Sequence, residues 1–200
     1  MKHYFTDNSE LESNPTTFTY TLKDKNIAFT TDIGVFSKNM LDFGTRVLLD
    51  AITITKHQKT LLDIGCGYGA IGVSLKMLHS HVKVEMIDVN DRAVALCQKN
   101  IEQNNLSDIS VYKSNVFEEV SNTFDVIVTN PPIRAGKTVV QQILEESYRY
   151  LNPQGELWVI IQKKQGAPSA KKKMEDIFTN VEVIKRDKGY YLLKSIKMSL

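Results

Sequence analysis

Two cysteines, one tryptophan and four histidines are all that this 200-residue chain holds of those types. Cys66 and Cys97 are too few for a disulfide framework, which points to a reducing compartment. No apolar core follows Met1 and Lys2 in the opening residues, so no secretory leader is expected. No run reaches the roughly 18 apolar residues of a spanning helix, so no membrane segment is expected. Together these absences lead us to expect a cytoplasmic protein. Repeats and low-complexity stretches are also missing. His79 and His81 stand two apart with no nearby cysteine or acidic pair, a poor metal spacing, and no metal is expected. What remains is ordinary for a folded chain: 42% hydrophobic and 24% charged residues. The length fits one domain, residues 1–200, with a hairpin and loop over 1–38 and a core over 39–200.

Net charge is only +2, but it is unevenly spread. Residues 1–130 carry 12 basic and 16 acidic side chains, whereas residues 131–200 carry 13 and 7. The basic C-terminal part suits a polyanionic partner or a solvated helix face.

Phe18, Tyr20 and Leu22 alternate with threonines, Lys23 to Asn26 make a turn, and Ile27 to Thr31 return as a second strand. A helix is predicted over Leu41 to Ala51. Strands are then predicted at Thr60–Ile64, Val82–Ile87, Ile109–Tyr112, Phe124–Val128 and Leu157–Ile161. The helices between them carry inward faces at Ile71, Leu75 and Leu78, at Val94, Cys97 and Ile101, and at Val140, Leu144 and Ser147. A Lys-rich helix, Ala170 to Phe178, precedes a last hairpin that turns at Asp187 to Gly189. This alternation predicts an α/β fold: a doubly wound, mainly parallel seven-stranded sheet with a C-terminal antiparallel hairpin and an N-terminal β-hairpin extension. Ligands of such sheets bind beyond the carboxyl ends of the strands.

Asp63-Ile64-Gly65-Cys66-Gly67-Tyr68-Gly69-Ala70 runs from a strand through a glycine loop into a helix. The glycines permit close backbone approach, and the helix start offers unpaired N–H groups. Asp88, 19 residues after Gly69, ends the next strand, where a carboxylate can accept ribose hydroxyls. Two cofactors fit this pattern. Gly65-x-Gly67-x-x-Ala70 satisfies the nicotinamide dinucleotide pattern, and Gly65-x-Gly67-x-Gly69 behind Asp63 resembles the first motif of class I S-adenosylmethionine methyltransferases. Cys66 is read as a small filler that presents backbone to the ligand.

Asn130-Pro131-Pro132-Ile133 decides between them, because a nicotinamide site has no use for it. The string resembles the motif of methyltransferases that modify planar nitrogens. An exocyclic amine is a poor nucleophile, and two acceptors are needed to hold its two N–H groups: the Asn130 side-chain oxygen and the Pro131 carbonyl. Proline pairs stiffen such a turn. Together with Asp32 to Thr45 and the continuation Arg134 to Lys137, the chain resembles the small-subunit (16S) ribosomal RNA guanine-N2 methyltransferase family in a short single-domain form, over about Phe18 to Met198. Longer members carry a further N-terminal domain.

The resemblance implies S-adenosylmethionine as cofactor and ribosomal RNA or the small ribosomal subunit as partner. It implies that Gly65, Cys66 and Gly67 lie against the methionine part with Asp63 nearby. Asp88 would hold the ribose, with Val89 near the adenine. Asn115, beside Val116, would accept from the adenine amine, at a position where many relatives have Asp. Phe36 and Ser37 would close over cofactor and substrate. Asn130 and Pro131 would hold the target amine, with Asn130 also touching the cofactor and Pro132 and Ile133 completing the turn. Ile133 replaces a usual aromatic residue, and Phe36 is a candidate for the missing ring.

Arg134 and Lys137 are candidate phosphate contacts beside the target nucleotide. Lys163, Lys164 and Lys171 to Lys173 are candidates for a wider basic rim or a solvated face. Three other readings stay open: protein glutamine-N5 methylation, a nicotinamide oxidoreductase that leaves Asn130 to Pro132 without a use, and a non-catalytic RNA-binding or ribosome assembly factor.

Overall fold

The computed structural model describes residues 13–33 and 40–198, apart from the side chain of Arg134. The N-terminal hairpin pairs β1 (Thr16–Leu22) with β2 (Lys25–Thr31). Its turn is shorter than the sequence predicted. Leu22 already pairs with Lys25 and Thr21 with Asn26, so only Lys23 and Asp24 stand outside the ladder.

The remaining elements are α1 (Phe43–Ala51), β3 (Thr60–Ile64), α2 (Ala70–Leu78), β4 (Lys83–Asp88), α3 (Asp91–Gln103), β5 (Ile109–Lys113), β6 (Phe124–Thr129), α4 (Lys137–Tyr150), β7 (Leu151–Gln162), α5 (Ala167–Phe178), β8 (Glu182–Asp187) and β9 (Tyr190–Ile196). Strands β3 to β9 form one sheet in the order β5-β4-β3-β6-β7-β9-β8. Neighbours are parallel from β5 to β7, and β9 and β8 close the sheet antiparallel, as the alternation predicts. Val126 and Val128 of β6 point into one core cluster and Ile127 into the other, and all three are fully buried. This is the signature of a central strand covered on both faces.

Three departures from the predicted pattern have local causes. Strand β7 starts at Leu151 instead of Leu157, because Asn152 to Gly155 form a bulge inside the strand and not a loop before it. Gln154 takes a φ of 64°, and its N–H bonds the Lys197 carbonyl. A Cβ at Gly155 would lie 2.8 Å from the Asn152 carbonyl oxygen and 3.0 Å from that of Phe124, so the bulge needs glycine. Second, the buried face of α3 is Ala93, Leu96, Cys97, Asn100 and Ile101, with Val94 only half-buried. Third, Asn100 is a polar residue with no exposure. Its amide donates to the Thr30 and Tyr68 carbonyls and accepts from the Thr30 N–H and Gln103. With that set filled, burial costs little, and the hairpin is tied to the loop that follows β3.

The amino edge of the sheet is closed by one carboxylate. Asp125 accepts from the Lys59 and Thr60 backbone N–H groups, the Thr60 hydroxyl and the Asn152 amide. Burial alone would raise this carboxyl, but these donors outweigh it and hold it below the ordinary value.

Candidate active site

The site lies at the opposite, carboxyl edge. Between β3 and α2 the chain turns through Gly65, with a φ of 68°, and the N–H groups of Gly65 and Cys66 both bond the Ile87 carbonyl at the end of β4. Asp88 is 2% exposed and accepts the Gly67 N–H at 2.9 Å and the Asn90 N–H at 2.9 Å. The strand-end acid therefore fixes the glycine loop before any ligand arrives. Gly65, Asp88, Val89, Asn115, Val116 and Pro132 share the lining of one cleft. Gly67 and Cys66 form the loop behind it, and Cys66 is buried. Burial, with Cys97 alongside, pushes the Cys66 thiol well up, so it is a filler and not a nucleophile. Val116 adopts a φ of 52°, strained for a β-branched residue, and its carbonyl takes the Ser114 hydroxyl at 2.8 Å. The Asn115 amide donates to Glu118 at 2.7 Å, which turns its oxygen away from that partner. Phe36 and Ser37 lie outside the described residues.

The Asn-Pro-Pro turn sits directly beside this cleft. Strands β3 and β6 pair Ile64 with Thr129, and the Thr129 hydroxyl bonds the Ile64 carbonyl at 2.9 Å. A Cβ at Gly65 would stand 3.4 Å from Pro132 Cδ, so the glycine loop and the proline turn are in contact. The Asn130 amide nitrogen donates to Asp42 Oδ2 at 3.1 Å and to Thr45 Oγ1 at 3.2 Å. A carboxylate only accepts, so the nitrogen must face Asp42 and Oδ1 must face the other way. Asn130 Oδ1 and the Pro131 carbonyl have no hydrogen-bond partner among the described residues. The carbonyls of Pro132 and Ile133 are taken by Ala135 and Gly136. Ile133 opens a short 3₁₀ turn and is half-buried against one core cluster.

A strand-end acid, a glycine loop and a proline turn with two acceptors lacking a partner among the described residues thus meet at one cleft. The family model of the methyltransferase small domain matches residues 26–194. The chain belongs to that family.

Relatives of this methyltransferase small-domain chain differ in extent. YbxB of Bacillus subtilis, a protein of uncharacterized role, is 46% identical over 199 residues, 98% of this chain and 99% of that one. The ribosomal RNA small subunit methyltransferase C of Buchnera aphidicola is 32% identical over 146 residues, 70% of this chain and 44% of that one. Among solved structures, the T. thermophilus 16S rRNA N2 methyltransferase RsmC, in complex with AdoMet and guanosine, matches with a TM-score of 0.82 and 25% identity. That match covers 94% of this chain and 52% of the T. thermophilus one. The chain therefore spans about half the length of these named methyltransferases.

Methyltransferases of this family use S-adenosylmethionine. The residues of this chain suit such a cation. Asp63 is 1% exposed, its Oδ2 accepts the Gly72 N–H at 2.9 Å, and its Oδ1 has no partner among the described residues. Burial first, and the Asp88 charge second, push its carboxyl up to about 7. Two buried carboxyls beside a glycine loop, one of them held near neutrality by burial and by its neighbour's charge, ionise more readily once a positively charged ligand sits beside them.

The shift has a consequence for stability. Between about pH 4 and pH 7 the folded methyltransferase domain keeps a proton on Asp63 that the unfolded chain has released. Stability therefore falls as pH rises through that window, by at most on the order of 4 kcal/mol. Urea unfolding from pH 4 to 8 is expected to show this slope in the wild type and to lose that part of it in Asp63→Asn. Equal slopes in the two proteins would exclude the assignment.

Asp42 and Thr45 carried no role in the sequence reading, although Asp42 three residues ahead of Thr45 is a helix-start signal. Asp42 caps α1 by accepting the Thr45 N–H and orients Asn130 with the same oxygen. Serine caps helices as well as aspartate does but is too short to reach Asn130. Asp42→Ser is expected to leave the melting temperature nearly unchanged and to lower kcat about 10-fold, the worth of one hydrogen bond, with cofactor Kd unaltered. A fall in Tm without a fall in kcat would mean that Asp42 only caps.

Lys137, at the first position of α4, is exposed next to the turn. The Arg134 side chain lies outside the described residues. Lys171 and Lys173 of α5 form surface ion pairs with Glu175 and Glu145. Among the described residues no group of three His, Cys, Asp or Glu side chains is placed to hold a metal ion, and no helix is long and apolar enough to cross a membrane.

Proposed function

We propose that this chain transfers a methyl group from S-adenosylmethionine to the exocyclic N2 of a guanine in small-subunit ribosomal RNA, acting as one methyltransferase domain in the cytoplasm. The observation that supports it best is the pair of acceptors without a partner, Asn130 Oδ1 and the Pro131 carbonyl, on a turn in contact with the glycine loop at Gly65. The names of the relatives supply the substrate class.

Gly65, Cys66, Gly67 and Asp63 would hold the methionine end of the cofactor, Asp88 the ribose, and Val89, Asn115 and Val116 the adenine. When bound there, S-adenosylmethionine supplies an electrophilic methyl on a cationic sulfur. Asn130 Oδ1 and the Pro131 carbonyl each accept one N–H of the guanine amine. That grip orients the nitrogen toward the methyl donor. Orientation of this kind supplies several kcal/mol of the barrier, on the order of 7–11 at the limit. No strong base is needed beforehand, because the proton leaves once nitrogen carries the positive charge. Asp42 and Thr45 keep the Asn130 amide from rotating, so the acceptor faces the substrate throughout.

The test is transfer of radiolabelled methyl to three acceptors in parallel: ribosomal RNA, isolated small subunits and total protein. Label recovered as N2-methylguanosine is the expected result and shows which form of the substrate is used. Label only in protein would overturn the reading in favour of glutamine methylation. No label despite cofactor binding would favour a non-catalytic RNA-binding factor.

A further inference from the structure

The sheet order separates two halves of the carboxyl edge. The cofactor cleft occupies the ends of β3, β4 and β5, and Asn130 follows β6 at the centre. On the other side of Asn130 lie the end of β7 and the β8–β9 turn. Because β9 runs antiparallel and pairs Tyr190 with Gln162, its turn is carried to this same edge. The Lys163 N–H bonds the Gly189 carbonyl at 2.7 Å, which binds that turn to the segment leaving β7.

Cations gather here around an aromatic pair. The Lys188 ammonium stands 5.0 Å from the Phe43 ring centre and the Arg46 guanidinium 5.4 Å from it. Phe43 and Tyr190 are 5.7 Å apart, centre to centre, and Gly44 lets α1 press on Tyr190, where a Cβ would come within 2.6 Å. Lys163, Lys164 and Lys188 are exposed and have no ion pair among the described residues, and Arg46 Nε is buried without a hydrogen-bond partner. Phe43 is the residue after Asp42, which holds Asn130. Exposed cations around half-buried rings, one residue from the amine-holding network, have the make-up of a single-strand binding surface: cations follow the phosphates, and rings stack unpaired bases.

We propose that Phe43, Arg46, Tyr190, Lys163, Lys164 and Lys188 form the docking surface for single-stranded RNA flanking the target nucleotide. The choice of RNA rests on the function proposed above. The surface takes the strand on the side of Asn130 away from the cofactor, so the target base enters the turn from the β7–β9 side.

The test uses the full chain and a short fluorescent single-stranded RNA of mixed sequence, followed by anisotropy at several salt concentrations. One variant is Lys163→Gln/Lys164→Gln/Lys188→Asn. Asparagine tolerates the φ of 42° found at Lys188, so the turn is kept. The comparison variant, Lys56→Gln/Lys59→Gln/Lys83→Gln, removes the same charge from exposed positions at the amino edge. The first is expected to raise Kd at least 10-fold and to flatten the dependence of log K on log salt by about 2, near 0.7 per phosphate lost. The second is expected to stay within about twofold of wild type. Equal weakening by both variants, or by neither, would overturn the proposal. Methyl transfer to ribosomal RNA by the same proteins is measured alongside. RNA binding that depends on this surface without any transfer would overturn the methylation reading alone, whereas transfer with unchanged KM for RNA in the first variant would overturn the docking surface alone.

Discussion

Asn130→Ala is expected to lower kcat for methyl transfer about 10³-fold, within the range that loss of a single oriented polar group at a reacting centre produces. Cofactor Kd is expected to move less than about threefold, under about 0.7 kcal/mol. The separation follows from geometry. Asn130 is anchored from α1, through Asp42 and Thr45, and not from the glycine loop or Asp88. Its removal therefore takes away an acceptor of the target amine and leaves the cofactor's contacts in place. Asn130→Asp makes the sharper test. It keeps an acceptor oxygen but sets a carboxylate where an amide now donates to Asp42 at 3.1 Å. Two like charges at that distance repel, the side chain turns away, and the loss of rate is expected to match that of alanine. Single-turnover rates and calorimetric cofactor binding, on the same preparations, measure both quantities. Parallel loss of rate and cofactor affinity would place Asn130 in the cofactor site instead.

Asp88→Ala is expected to do the reverse and to do more. Cofactor Kd is expected to rise about 100-fold, from the loss of a charged acceptor worth roughly 1.5–3 kcal/mol. The fold is also expected to weaken by about 2–4 kcal/mol, because the Gly67 and Asn90 N–H groups lose their buried acceptor. Asp88→Asn does not restore either. Two backbone donors already point at the two carboxylate oxygens, and an amide nitrogen in one of those places meets a donor with a donor. Denaturant unfolding and cofactor titration read the two effects. Near-wild-type cofactor affinity in a folded Asp88→Ala protein would remove Asp88 from the binding site.

Much of this site was legible in the sequence because its signals are local. The glycine loop, Asp88 and Asn130 each stand at a strand end, and a parallel sheet carries all such ends to one edge. The seven strands were legible for the same reason, from short apolar runs punctuated by glycine and polar turns. What was not legible depends on contacts between distant segments. Asp42 and Asn130 are 88 positions apart, and no local pattern reports that the helix start of one orients the amide of the other. Asn100 reads as a polar residue on an apolar helix face until β2 is brought against it, 70 positions away. The bulge in β7 hides behind Asn152 to Gly155, which have the composition of a loop. Phe43, Lys188 and Tyr190 come from segments separated by most of the chain, and only the antiparallel return of β9 unites them.

The Asp125 knot at the amino edge bears on how such a chain can change over generations. It holds the starts of β3, β6 and β7 through five hydrogen bonds, four accepted by its carboxylate and one donated by its backbone N–H to the Thr60 hydroxyl, none of them near the cleft. Integrity of the sheet and the candidate site are thus written on opposite margins of the molecule. Substitutions at Gly136 and Lys137, after β7 and between β8 and β9 reach solvent without loosening the knot. Selection can therefore rework what the domain recognises while the scaffold that presents the methyl donor is inherited intact.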